Sequence, residues 1–149
     1  MVYELAVVAT ADDLDRYHAI RRAELFEARS RRDYDSAHPD EIKPNHFRLL
    51  LKCNGIGVAT TRFDLLGDGV AALRLVAVTR AEQRRGYGRV LADLIEALAR
   101  QKGISKLVVN AAPDAIGYYE RMGFVREAWD PAELVGISAD SIQMAKYLE

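Results

Sequence analysis

Seven consecutive residues, Gln83-Arg84-Arg85-Gly86-Tyr87-Gly88-Arg89, carry the densest chemical content of this chain. They lie between an apolar, strand-like stretch over residues 73–78 and an amphipathic, helix-like stretch over residues 90–101. A helix that starts in a glycine-bearing turn presents backbone N–H groups that no intrahelical carbonyl can satisfy. With the helix dipole, they make a ready site for a phosphate or pyrophosphate. Glycine lets an anion approach bare backbone and tolerates positive φ. Arg84, Arg85 and Arg89 add positive charge around the same point. The run lacks the Lys-Ser/Thr ending of a P-loop. It is one glycine short of the dinucleotide fingerprint and lies mid-chain, away from the opening βαβ unit where that fingerprint belongs.

The pattern Gln/Arg-x-x-Gly-x-Gly after a strand resembles the acyl-CoA pyrophosphate loop of the GNAT acyltransferase superfamily. A second segment, Ala115-Ile116-Gly117-Tyr118-Tyr119-Glu120-Arg121-Met122-Gly123-Phe124, is similar to that family's helix and turn, A-x-x-F/Y-Y-E-x-x-G-F. The two stand in the family's order and cover the C-terminal half of the chain. The resemblance implies an α+β fold with a mixed, mostly antiparallel sheet flanked by helices on both faces, its central strands splayed to hold CoA. It implies an acetyl-CoA-dependent N-acetyltransferase, with direct transfer to an amine in a ternary complex, acetyl-CoA as co-substrate and no metal. The alternatives are a CoA-binding regulatory module without turnover, or an enzyme acting on a protein lysine or N-terminus.

The same resemblance assigns roles to residues. The N–H groups of Arg84, Arg85, Gly86, Tyr87, Gly88 and Arg89 would cradle the pyrophosphate. The pantetheine arm would pair with strand backbone at Val76, Ala77 and Val78, as an added strand does. A backbone N–H near Val76 or Val78 would stabilise the oxyanion. Tyr119 would protonate the departing thiolate, while Tyr118 packs in the core. Asn110, closing an apolar run, would hydrogen-bond a pantetheine amide or a water chain, or else cap the turn before Pro113. The family's asparagine about seven residues before the tyrosine is replaced by Ala112, and Leu107, Val108 and Val109 supply no carboxylate base.

Ordered water can relay the amine proton instead, and the side-chain candidates for a base are Glu24, Glu27, Asp35, His38, Asp40 and Glu41. Glu82 beside the phosphate loop reads as surface. Arg74, inside a strand, either faces solvent or points into the substrate cleft, because an unpaired charge in the core is costly. Arg21 and Arg22 sit mid-helix among apolar neighbours. They read either as a salt-bridged face or as partners for an acceptor that carries a carboxylate or phosphate. The stretch from Trp129 to Ile137 forms a second acceptor wall, with Asp130 and Glu133 as ammonium partners. Cys53 reads as a packed structural thiol, and His18, His38 and His46 lack metal-ligand spacing.

These residues must be positioned by a chain of 149 residues, a length that suits one domain over residues 1–149. Half the residues are apolar and the formal net charge is −1. This balance gives no reason to expect nucleic acid or an anionic membrane as a partner. No apolar run reaches the ~20 residues of a membrane span, and the start of the chain does not resemble a signal peptide. A cytoplasmic protein acting on a small amine is expected. A homodimer is the commonest assembly for such a protein.

Hydrophobic periodicity and turn residues predict strands over residues 2–9, 47–53, 56–64, 70–78, 105–110, 124–129 and 141–147. Thr10 caps a first helix whose apolar positions run through Leu25 and Ala28. Residues 29–45 form a short second helix or a long loop. Asn54-Gly55 joins a hairpin. The helix from Arg89 stops at Gly103, and residues 113–122 form a short helix ended by Gly123.

Overall fold

The computed structural model describes residues 2–80 and 86–149. Its centre is one seven-stranded sheet. The strands are β1 (Tyr3–Val7), β2 (His46–Cys53), β3 (Ile56–Gly67), β4 (Val70–Val78), β5 (Lys106–Ala111), β6 (Val125–Arg126) and β7 (Ile142–Tyr147). They stand in the order β1-β2-β3-β4-β5-β7-β6. Only the β4–β5 pair is parallel, so the chain needs a crossover there. The helix α2 (Tyr87–Gln101) supplies it.

Both faces of the sheet are covered, which explains why β2 carries consecutive leucines instead of an apolar–polar alternation. Leu49 and Leu51 join the large core under α2 and under α3 (Ile116–Arg121). Leu50 points to the other face and packs with Tyr17 and Ile20 of α1 (Ala11–Arg21). Burial of these side chains stabilises the fold by about 1.5–3 kcal/mol each.

Local chemistry sets the element ends. Thr10 caps α1, its hydroxyl accepting from the Asp13 N–H at 3.1 Å. Asn54 and Gly55 take φ of 52° and 83°, the backbone of a tight hairpin turn between Cys53 and Ile56. Two readings change in detail. The first helix does not run on at one pitch: past Arg21 it widens into a π-helical turn over Arg22–Phe26, then tightens over Glu27–Arg29. The wider turn adds a residue and places Phe26 in buried packing, which a steady 3.6-residue period does not anticipate. The strand expected over residues 124–129 shrinks to Val125–Arg126. Beyond it, the Glu127 N–H bonds the Gln143 carbonyl, and the side chain of Gln143 takes the N–H groups of Trp129 and Asp130.

Candidate active site

β4 and β5 pair only from Val70↔Lys106 to Leu73↔Val109. After that point β5 continues against β7, and β4 continues against β3 alone. At the parting, Thr60 faces Ala77 while Arg62 faces Arg74, so Thr61 stands opposite both Leu75 and Val76. This is a β-bulge. Leu75 sits at φ 55°, a left-handed conformation that costs a non-glycine residue about 1–2 kcal/mol. The Thr61 hydroxyl ties the bulge down by donating to the Arg74 carbonyl at 3.1 Å. Strain of this kind persists where surrounding structure holds it, and it concentrates at functional sites.

The splay opens a cavity of about 680 Å³. Leu73, Leu75, Val76, Asn110, Ala112 and Tyr119 line its inner end. The segment after α1 and the segment over residues 133–141 line the rest. Tyr119 is buried, edge-on to Tyr118 at 5.1 Å and to Phe124 at 5.3 Å. Burial raises the pKa of its phenol well above the usual value, so it keeps its proton at neutral pH. Among the described residues its hydroxyl has no hydrogen-bond partner, whereas the Tyr118 hydroxyl donates to the Gly88 carbonyl at 2.7 Å. Burial likewise raises Tyr118, to about 12.

After β4 the described chain resumes at Gly86, at the head of α2. Gly86 is the residue before α2, at φ 81° with no described atom within 4 Å of where a Cβ would stand. The first intrahelical bond runs from the Val90 N–H to the Gly86 carbonyl, so the N–H groups of Gly88 and Arg89 precede it. Gly88 has a second reason to be glycine: a Cβ there would stand 2.9 Å from the Tyr118 ring. The Tyr87 side chain turns inward, packing on Tyr3 and donating to Cys53 Sγ at 3.6 Å. Any ligand contact of Tyr87 therefore falls to its backbone. Glu82, Gln83, Arg84 and Arg85 lie outside the described residues.

Asn110 stands within β5, and its amide is engaged at both ends within the protein. Nδ2 donates to Glu133 at 3.1 Å, and Oδ1 accepts from Gln143 at 3.0 Å. Its side chain neither caps the turn before Pro113 nor extends toward a ligand unaccompanied. Ala77 and Val78 pair with Thr60 and Ala59 of β3.

A chain of alternating charges runs along the cavity wall. Arg21 pairs with Glu41, Glu41 with Arg62 at 3.0 Å, and Arg62 with Asp64 through two bonds of 2.8 and 2.9 Å. Asp64 accepts from Arg74 at 3.2 Å, and Arg74 closes on Glu133 with both terminal nitrogens. Arg74 also lies over the Trp129 ring, 5.6 Å from its centre. Arg74 thus faces the cleft as a paired ion, one of the two positions its sequence allows. Arg21 is a paired, buried ion on the cavity wall.

Four of the other candidate bases are occupied. Both oxygens of Glu41 are taken by guanidiniums. Glu24 accepts from the Arg80 N–H, Asp35 from the Ala37 N–H, and Asp40 pairs with Lys43 at 2.8 Å. Asp130 caps the Ala132 N–H, while Glu133 reaches the cavity.

Sequence reasoning missed Arg62 and Asp64, although a signal was there: opposite charges two apart in an otherwise buried strand must share one face. It also missed Tyr34, whose hydroxyl hydrogen-bonds His18 Nδ1 and whose ring lies under Arg22. Among the described residues no cluster of His, Cys, Asp or Glu could hold a metal ion, and no helix is long and apolar enough to cross a membrane.

Known proteins share this fold. A protein of Bacillus subtilis (strain 168) classed as an acetyltransferase is 27% identical over 105 residues, 70% of this chain and 67% of its own length. A crystal structure from Lactobacillus plantarum, classed as an N-acetyltransferase, superposes with a TM-score of 0.81 at 20% identity, covering all of both chains. The PaiA N-acetyltransferase of Thermoplasma acidophilum, solved in complex with coenzyme A, superposes with a TM-score of 0.74 at 13% identity over 99% of each chain. The model of the acetyltransferase (GNAT) family matches residues 14–124, and the chain belongs to that family.

Proposed function

We propose that this protein transfers an acetyl group from acetyl-CoA directly to a small amine. The pyrophosphate would rest on the N-terminus of α2, against the backbone of Gly86, Tyr87, Gly88 and Arg89, with Arg84 and Arg85 adding charge. The pantetheine arm would run along the free side of the splay beside Val76, Ala77 and Val78, carrying the thioester to the bulge. The amine would come from the 680 Å³ cavity.

The observation that carries this reading is the position of Tyr119 on that cavity, beside the splay. A protonated phenol with no partner among the described residues can give its proton to the sulfur as the C–S bond breaks. The walls of the cavity support a small acceptor over a protein. Residues of the 29–45 segment wall it on one side, and Val135 to Ser141 wall it on the other.

The test is calorimetric titration with acetyl-CoA, followed by thiol release over a panel of amines. Micromolar binding with turnover is expected. In Tyr119→Phe, kcat should fall about 10²–10⁴-fold while acetyl-CoA affinity stays unchanged, as loss of a transition-state interaction requires. Wild-type turnover in that variant would place the acid elsewhere. Tight binding with no turnover on any amine would favour a regulatory CoA-binding module.

A further inference from the structure

We propose that Glu133 receives the acceptor amine and stabilises the positive charge that its nitrogen gains during attack; this rests on the acetyltransferase reading above. The alternating chain is where the inference begins. Its side chains are 1% exposed at Arg21, 4% at Glu41, 7% at Arg62, 1% at Asp64, 22% at Arg74 and 24% at Glu133. Both ends lie on the cavity wall, but exposure rises along the chain, and its most exposed member is the Glu133 carboxylate.

The chain is also polar along its length. Two guanidiniums flank Glu41 at the less exposed end, and two carboxylates flank Arg74 at the more exposed end. Its charges sum to zero, yet its more exposed end is locally negative. Burying such a chain is seldom a net gain in stability. What it provides here is a carboxylate held rigidly beside the parting of β4 and β5.

Glu133 differs from the other acids on that wall. Glu41 is sealed, Asp33 and Asp40 are matched by Arg31 and Lys43, and Asp35 holds a backbone N–H. Glu133 Oε1 accepts from Arg74 and Asn110, while Oε2 has one partner among the described residues, Arg74 at 3.0 Å. A carboxylate oxygen can accept two such bonds, which leaves Oε2 room for an amine N–H. Asn110 and Arg74 thereby orient Glu133. A carboxylate clamped in this way acts through its field and not as a base.

As the nitrogen bonds the acetyl carbon it becomes cationic, and a fixed negative charge beside it lowers the barrier. The thioester C–S bond then breaks, and Tyr119 gives its proton to the sulfur. The nitrogen's proton passes to water in the open cavity, and water returns one to Tyr119. The products are the amide and the free thiol of CoA.

Glu133→Gln tests the assignment. Its kcat/KM toward amines should fall about 10²-fold, with acetyl-CoA affinity and melting temperature close to wild type. The double variant Arg74→Met with Glu133→Gln separates contact from mere neutralisation. It should stay low, and recovery there would mean that Glu133 only balances Arg74. A measurement on the unaltered protein stands beside these. CoA-loaded wild type should bind a primary amine at least about tenfold more tightly than the alcohol of the same shape. Equal affinity, or wild-type kcat/KM in folded Glu133→Gln, would overturn the proposal while leaving acetyl transfer intact. Absence of turnover on any amine by wild type that binds acetyl-CoA would overturn both.

Discussion

The two ends of this site are built from different materials. The proposed donor end is backbone: a glycine turn, the first turn of α2 and the strand edge beyond Leu73. The proposed acceptor end is side chain: three guanidiniums, three carboxylates, an amide and two tyrosines gathered from distant elements. A backbone site recognises a group common to one donor and tolerates change in most side chains. A site of paired charges is specific, but each member depends on its neighbours, because removing one leaves another buried and unmatched.

The sharpest way to break this contrast is to put a side chain where the donor end needs none. Gly86→Glu places a Cβ and a negative charge at a residue with φ 81°, and measurable acetyl-CoA binding should vanish in calorimetry. A folded variant with unchanged affinity would remove the turn from the donor site. Next in size is a cut through the charge chain. Asp64→Asn leaves Arg62 and Arg74 short of a buried counter-charge, and stability in urea should drop by about 3–5 kcal/mol. A loss under about 1 kcal/mol, the range of a surface pair, would show that the chain is solvated.

The smallest effect concerns pH. Burial first, then Arg21, lowers the pKa of His18 from 6.5 to about 4 in the folded protein. Between those values the unfolded chain binds the extra proton and the folded chain does not. This contribution is therefore neutral above about pH 6.5 and costs stability as pH falls from there toward 4. Wild type should lose more stability than His18→Asn over that interval in paired denaturation curves. Parallel curves would mean that His18 titrates normally beneath Tyr34.

The contrast in materials also explains what could be read early. The donor turn is contiguous in sequence, so glycine spacing and the strand before it mark it directly. The Asn54-Gly55 hairpin, the Thr10 cap and α2 are local in the same sense, and each forms where its residues demand. Asn110 was recognisable as polar at the end of an apolar run, but its partners Glu133 and Gln143 lie 23 and 33 residues away. The π-helical turn after Arg21 was hidden for another reason: it answers to the packing of Phe26, and no residue in it forces the wider pitch.

The sequence by itself determined the order of strands and helices, the glycine turn at the head of α2 and the tyrosine helix that follows, because short-range periodicity and turn chemistry encode them. The tertiary structure alone decided that β4 parts from β5 at Leu73, that the bulge at Leu75 lies at the opening, and that six charges from five separate segments join into one chain ending at Glu133. The physical reason is range. A cap or a tight turn is chosen by neighbours within a few residues, whereas a buried charge takes whichever partner the finished fold brings within bonding distance.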